Sequence, residues 1–98
     1  MDMFEWNEDK ARTNLKKHGV SFQEALEIFD DELSVTFSDP MHSDDEDRFI
    51  IIGLSFGGRL LMVSHAHREE KIRIISAREP TKKERRDYEN DRKKRRRR

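Results

Sequence analysis

Ninety-eight residues, 33% of them hydrophobic and 43% charged, allow one domain with a single modest core. The absence of cysteine excludes a disulfide framework and a thiolate metal site and fits a reducing cytoplasm, while apolar runs such as Phe49 to Ile52 stop at four residues, far short of a membrane span or signal-peptide core. A formal net charge of zero hides a polarity: Phe29 to Asp47 holds eight acidic residues and no Lys or Arg, whereas Lys82 to Arg98 holds eleven basic residues against four acidic.

Phe4 and Trp6 share one face of a short first strand. Asn7 is placed to cap a helix whose first turn carries Glu8 and Asp9 and whose last turn carries Lys16, Lys17 and His18, each matched in sign to the helix dipole, before Gly19 closes it. Its apolar stripe of Ala11, Leu15 and the carbon body of His18 is weak, so much of this helix stays wet. Ser21 to Glu24 makes a capping box for a second helix with Phe22, Ala25, Leu26 and Phe29 as its buried stripe. After Asp31 the period changes to two: Leu33, Val35 and Phe37 face one way and Ser34, Thr36 and Ser38 the other, which predicts a strand buried on one side. Asp39-Pro40 opens an acidic loop that runs to Asp47. Phe49 to Phe56 is apolar on both faces, as a central strand is, and Gly57-Gly58 turns the chain into an antiparallel partner, Arg59 to His67. Glu69-Glu70 makes a second turn into Lys71 to Arg78. Pro80 stops that strand, and Thr81 with Glu84 forms another capping box for a last helix carrying Arg85, Arg86 and Tyr88. The predicted order, β-α-α-β-β-β-β-α, builds an α+β domain in which an antiparallel sheet of four to five strands packs with about three helices.

Chemistry concentrates in the second half. Arg73 and Arg78 interrupt the β-branched run of Ile72, Ile74 and Ile75, where a core strand has no use for a guanidinium; they either reach an anion or lie solvated. The cationic terminus concentrates polyanions, which makes nucleic acid the natural partner, although consecutive cations from Lys93 onward also repel one another and favour a disordered, solubilising tail. His65 and His67 share a strand face about 7 Å apart. Zinc accepts such a pair, but no third ligand lies near it, and a histidine beside arginines suits proton transfer at a phosphodiester whose developing charge the guanidiniums hold. The bland alternative is a histidine that hydrogen-bonds a carboxylate of the acidic loop. With no glycine-rich phosphate loop, nucleophile elbow or Cys-His pair, the catalysis these residues allow is metal-free acid/base chemistry in which RNA supplies its own 2′-hydroxyl as nucleophile; no cofactor is implied. Two other classes fit the same residues, a non-catalytic nucleic-acid-binding module and a protein-interaction module.

Several motifs in a fixed order carry a resemblance: Phe4-Glu5-Trp6-Asn7, then Lys10, Asn14 and Lys17-His18-Gly19-Val20-Ser21-Phe22, then Ala25 and Phe29-Asp30-Asp31. Arg48, Gly53, Val63, the block Ile72 to Arg78 and the block Glu84 to Glu89 continue it to about Asn90. The chain resembles the BrnT family of type II toxins. That resemblance implies a compact RelE-like domain over residues 1–92 with a basic tail at 93–98, cytoplasmic ribonuclease toxicity, and neutralisation by a BrnA-type antitoxin whose complex binds its own promoter DNA. It also implies an active surface. Arg73, Arg78 and Tyr88, with His65 after the Val63 strand, become the catalytic candidates; Lys10, Lys17 and His18 of the basic front helix, with Arg48 and Arg85, become the substrate-binding ones. Tyr88 is expected to pack its ring on the sheet and present its hydroxyl at the site. His67 and the terminal cations lie outside the motif.

Overall fold

Local capping chemistry starts each helix. In the computed structural model, which describes residues 3–39, 41 and 46–96, Asn7 accepts the Lys10 amide and opens α1 (Glu8–His18), which Gly19 closes at a left-handed φ of 69°. Ser21 accepts the Glu24 amide at 3.0 Å and opens α2 (Phe22–Glu27), which tightens into a 3-10 turn over Ile28–Asp30. Both halves of the Thr81–Glu84 box form, at 3.2 and 2.8 Å, and open α3 (Lys82–Arg96). This helix reaches past residue 92 into the segment expected as a tail, while 97 and 98 lie outside the described residues. Pairs one turn apart, Lys83–Asp87, Arg85–Glu89 and Asp91–Arg95, offset the mutual repulsion of its cations.

Five strands form one sheet: β1 (Phe4–Glu5), β2 (Val35–Ser38), β3 (Arg48–Leu54), β4 (Leu60–Arg68) and β5 (Lys71–Arg78), in the order β1-β5-β4-β3-β2. The neighbours from β2 to β5 are antiparallel, as the alternation and turns predict. β1 is not; it lies parallel to β5 through Phe4–Ile72 and Glu5–Arg73, so the sheet is mixed. Two helices separate β1 from the next strand, and that length of chain frees its direction from the hairpins.

Register assigns the two faces. Ile51, Leu61, Val63 and Ile74 point toward α1 and α2 and close on Val20, Phe22, Ala25 and Ile28, all fully buried or nearly so. Ile52, Leu60 and Met62 point the other way, under Tyr88 of α3. Opposite β4, β5 carries one extra residue: Ile74 pairs with His65 and Ser76 with Ser64, leaving Ile75 as a bulge. The turn between β4 and β5 holds Glu69 at a φ of 60°, a left-handed position filled here by a residue other than glycine.

Candidate nucleic-acid interface

β1 covers β5 only at Ile72 and Arg73. Beyond it, a single side chain of α1 takes the place of a strand: Asn14 accepts the Ala77 amide at 3.0 Å, donates to the Ala77 carbonyl at 2.8 Å and donates to the Val20 carbonyl at 2.9 Å. That clamp lays α1 along the outer edge of β5 and satisfies a buried backbone pair that would otherwise be orphaned. Lys10, Thr13, Lys17 and His18 consequently face Ile75 and Ser76 across an open hollow of about 310 Å³. Side chains of consecutive strand residues normally alternate, and the bulge is what lets both Ile75 and Ser76 line one hollow.

A second hollow, about 270 Å³, opens at the other end of β5 between Glu5, Trp6, Asn7, Arg68 and Arg73. Register places Arg48, Ala66, Arg73 and Glu5 in one row across β3, β4, β5 and β1, with Arg68 and Lys71 in the next row out, all on the face turned away from α1 and α2. Glu46, from the end of the acidic loop, forms an ion pair with Arg73 and lies 3.7 Å from the Arg48 Nε. The rest of that loop, 42–45, falls outside the described residues.

The remaining candidates go elsewhere. Arg78 donates through both terminal nitrogens to Glu84, at 2.9 and 3.1 Å. Those hydrogen bonds, then that from the Thr81 amide, hold the Glu84 carboxyl down to about 2. Arg85 pairs with Glu89 along α3 and lines neither hollow. Tyr88 is buried; its hydroxyl donates to the Leu33 carbonyl at 3.2 Å and accepts from Arg92 at 2.6 Å. Burial pushes its pKa up, against the pull of Arg92. Asp31 completes this knot, accepting the Leu54 and Leu33 amides and Arg92 at 2.8, 3.0 and 3.2 Å. Burial alone would raise the Asp31 pKa, but those amides and the guanidinium outweigh it and keep the carboxylate ionised below its usual range.

His65 sits in the helix-covered face, only 2% exposed, between the rings of Phe29 and Phe49 at 5.1 and 5.9 Å. Desolvation lowers its pKa, opposed by the Val63 carbonyl 3.3 Å from Nδ1; His67 pushes the same way as burial. Arg73 projects from the opposite face, since its partner on β4 is Ala66 and not His65. The structure thus brings Lys10, Lys17 and His18 together on the β1/β5 side of the sheet, and brings Arg48 of β3 near Arg73 of β5 through Glu46. It does not bring His65, Arg78, Tyr88 or Arg85 to them. Trp6, Arg68, Ser76 and Asn14 are the residues here that sequence reasoning did not place at the site. Asn14 had no local signal for its role, because its partner lies 63 residues away.

Among the described residues no three His, Cys, Asp or Glu side chains are grouped as metal ligands, and no helix is long and apolar enough to cross a membrane. None of the curated protein sequences compared with the chain matches it. The crystal structure of the Brucella abortus ribonuclease toxin BrnT matches in fold, with a TM-score of 0.62 at 23% identity over 82% of this chain and 99% of that one. The family model of the ribonuclease toxin BrnT, of type II toxin-antitoxin systems, matches residues 6–84. Its span takes in the whole clamp between α1 and β5 and the lining of both hollows except Glu5, and it stops at Glu84, the last residue of the capping box of α3. By that match the chain belongs to the BrnT family of type II toxin-antitoxin ribonuclease toxins.

Proposed function

We propose that this chain cleaves RNA without a metal ion and seats its substrate along the β1/β5 side of the sheet. One observation carries the reading: the cations gather along a single strand. Arg73 lines one hollow and Ser76 floors the hollow beneath Lys10, Lys17 and His18, and Arg78, held by Glu84, ends the strand. At about 3.3 Å per residue, Arg73 to Arg78 spans a track of about 16 Å. Three of the nearby carboxylates, Asp9, Glu46 and Glu84, are each paired with an arginine, which favours charge stabilisation and proton transfer over metal coordination.

The substrate's 2′-hydroxyl is the nucleophile, so the protein orients the backbone, moves protons and holds charge on phosphorus. Arg73 holds that charge, while Lys10, Lys17 and Arg48 take flanking phosphates and Arg78, on leaving Glu84, takes one farther along the strand. His18 is the histidine lining a hollow, and we assign it the proton transfer. His65 packs the core, and Tyr88 and Arg85 serve α3. The antitoxin is of the BrnA type, acts in the cytoplasm, and covers α1 and the β5 arginines; the complex binds promoter DNA.

Incubation of the purified protein with total RNA, with and without EDTA, tests the reading. Fragments should appear in both, and Arg73→Ala and Arg78→Ala should each slow their appearance by about tenfold or more, because one charge-assisted contact to a substrate phosphate is worth on the order of 2–3 kcal/mol. Circular dichroism checks that both variants fold. Cleavage that EDTA abolishes and magnesium or zinc restores would overturn metal independence. The burial of His65 favours a second reading, a module that binds RNA without cutting it, and retention of RNA without fragments would establish that one.

A further inference from the structure

The sheet has one closed margin and one open one. Asn14 and β1 occupy the outer edge of β5, but among the described residues no strand lies beyond β2. Asp39 donates to the Arg48 carbonyl at 2.9 Å, and the register then sets Phe37 against Ile50 and Val35 against Ile52. The peptide groups of Thr36 and Ser38, at the alternate positions, therefore point away from β3. Thr36, Phe37 and Ser38 are all exposed. This edge also carries apolar surface: Phe37 is 45% exposed and stands with Val35 beside a hollow of about 290 Å³ under Tyr88, and Met41, just past the strand, is 81% exposed. An open edge of this kind is a template for another strand.

Charge identifies the strand that fits. At the start of β2 lies the last turn of α3, where Arg92 meets Asp31 and Arg95 meets the Leu33 carbonyl. Residues 92–98 are seven cations, against the carboxylates Asp30, Asp31, Glu32 and Asp91, so this end keeps a positive surplus. At the other end the chain leaves into 39–47, which holds five carboxylates, and returns at Arg48. Glu46 of that segment pairs with Arg73 and lies near Arg48, yet a negative surplus stands after both arginines are counted. Arg68 and Lys71, farther across the sheet, are matched by Glu69 and Glu70. A second copy laid antiparallel along β2 puts each negative end beside the partner's positive one, whereas a parallel copy puts like charge on like.

We infer that two copies of this chain associate through β2, antiparallel about a two-fold axis at Phe37. Thr36 exchanges hydrogen bonds with the partner's Ser38, and Ser38 with the partner's Thr36. Phe37 then lies directly opposite the partner's Phe37 in the closer, non-hydrogen-bonded kind of pair, with both rings on the α3 face. The contact is the same patch on both copies, so it closes at two. Both β1/β5 sides stay at the outer margins of the joined sheet.

The chain has no cysteine, so a single introduced thiol reads the register. Phe37→Cys, oxidised in air, should cross-link into a covalent dimer, because directly opposed Cα atoms in such a pair are about 4.5 Å apart, within disulfide reach. Thr36→Cys should not, since its own counterpart lies diagonally across the joint, about 7–8 Å away. Light scattering on a size-exclusion column should give the full chain the mass of two copies. Phe37→Lys, which sets two cations face to face, should give the mass of one, with circular dichroism checking its fold. Lys93→Glu combined with Lys94→Glu should raise the dissociation constant of the dimer by about tenfold; an unchanged constant would overturn the pairing of opposite ends. A monomeric wild type overturns the inference and leaves the edge to a strand of another protein. A dimer that survives Phe37→Lys, or that cross-links as fast through Thr36→Cys as through Phe37→Cys, places the contact elsewhere and overturns it too. If Phe37→Lys does not fold, the two cysteine variants carry the test.

Discussion

The two faces of the sheet are held by different physics. Toward α1 and α2 lies an almost continuous apolar layer, with Phe22, Ile28, Leu61 and Val63 among its fully buried side chains. Its polar intruders, Asn14 and His65, are satisfied or packed between rings. Toward α3 the apolar strip is thin, essentially Ile52, Leu60, Met62 and Tyr88, and the helix is tied down by Asp31–Arg92, Arg78–Glu84 and hydrogen bonds to the Leu33 carbonyl. A chain with 43% charged residues cannot fill two cores. It fills one and attaches the other layer through charge, so the cations along the sheet's margin rest on a rigid floor built from the opposite side.

That contrast is easiest to break by truncation. Phe22→Ala should lower unfolding free energy by about 3–5 kcal/mol, whereas Met62→Ala on the thin face should lie near the bottom of its usual range, about 2 kcal/mol. Guanidinium titration compares them, and an equal or larger loss at Met62 would mean that the α3 face is the true core.

Acid sharpens the same contrast because the two faces lose stability in different windows. His65 has a folded pKa below its ordinary 6.5, so the unfolded chain takes up its proton first; stability on this account is full above 6.5 and falls as pH drops below it. Glu84 is depressed from 4.5 to about 2, so its contribution is present above 4.5 and disappears as pH falls from 4.5 toward 2. Thermal melts across pH should show two declining steps, and His65→Gln should flatten the upper one while sparing the lower. A single step, unaffected by His65→Gln, would show that the upper step does not originate at the buried histidine.

The smallest effect is reserved for Tyr88→Phe. Loss of the hydroxyl removes one donor to Leu33 and one acceptor for Arg92, about 1 kcal/mol in all, with RNA cleavage unchanged. Strongly reduced cleavage by a stable variant would instead put that hydroxyl at the substrate.

Where the chain's signals are local, they are legible in sequence. Asn7, Ser21 and Thr81 cap their helices as residue type and spacing predict, because a cap is decided within four residues. Alternation likewise sorts β4, putting His65 with Leu61 and Val63. What it cannot sort is one strand against another. The Ile75 bulge and the parallel run of β1 depend on pairing partners far along the chain, so a reading by strand alone seats His65 beside Arg73 when the sheet lies between them. Composition exposed the cationic helix but not its length, since repulsion counted residue by residue misses the acidic neighbours one turn away. At the site, Lys10, Lys17, His18 and Arg73 stood out through charge pattern and family resemblance. Their division into two hollows did not, because β5 register sets it.

Asn14 gives the edge of β5 a property that strands seldom have. Its amide group fills both sides of the Ala77 peptide, so an incoming chain finds no donor or acceptor there to pair with, and the margin is closed to edge-to-edge association without a further strand. The same arrangement ties the lifetime of one sheet amide to a helix. The Ala77 N–H is held by a side chain of α1 and not by a neighbouring strand, so its exchange with solvent reads the contact between the basic helix and the strand.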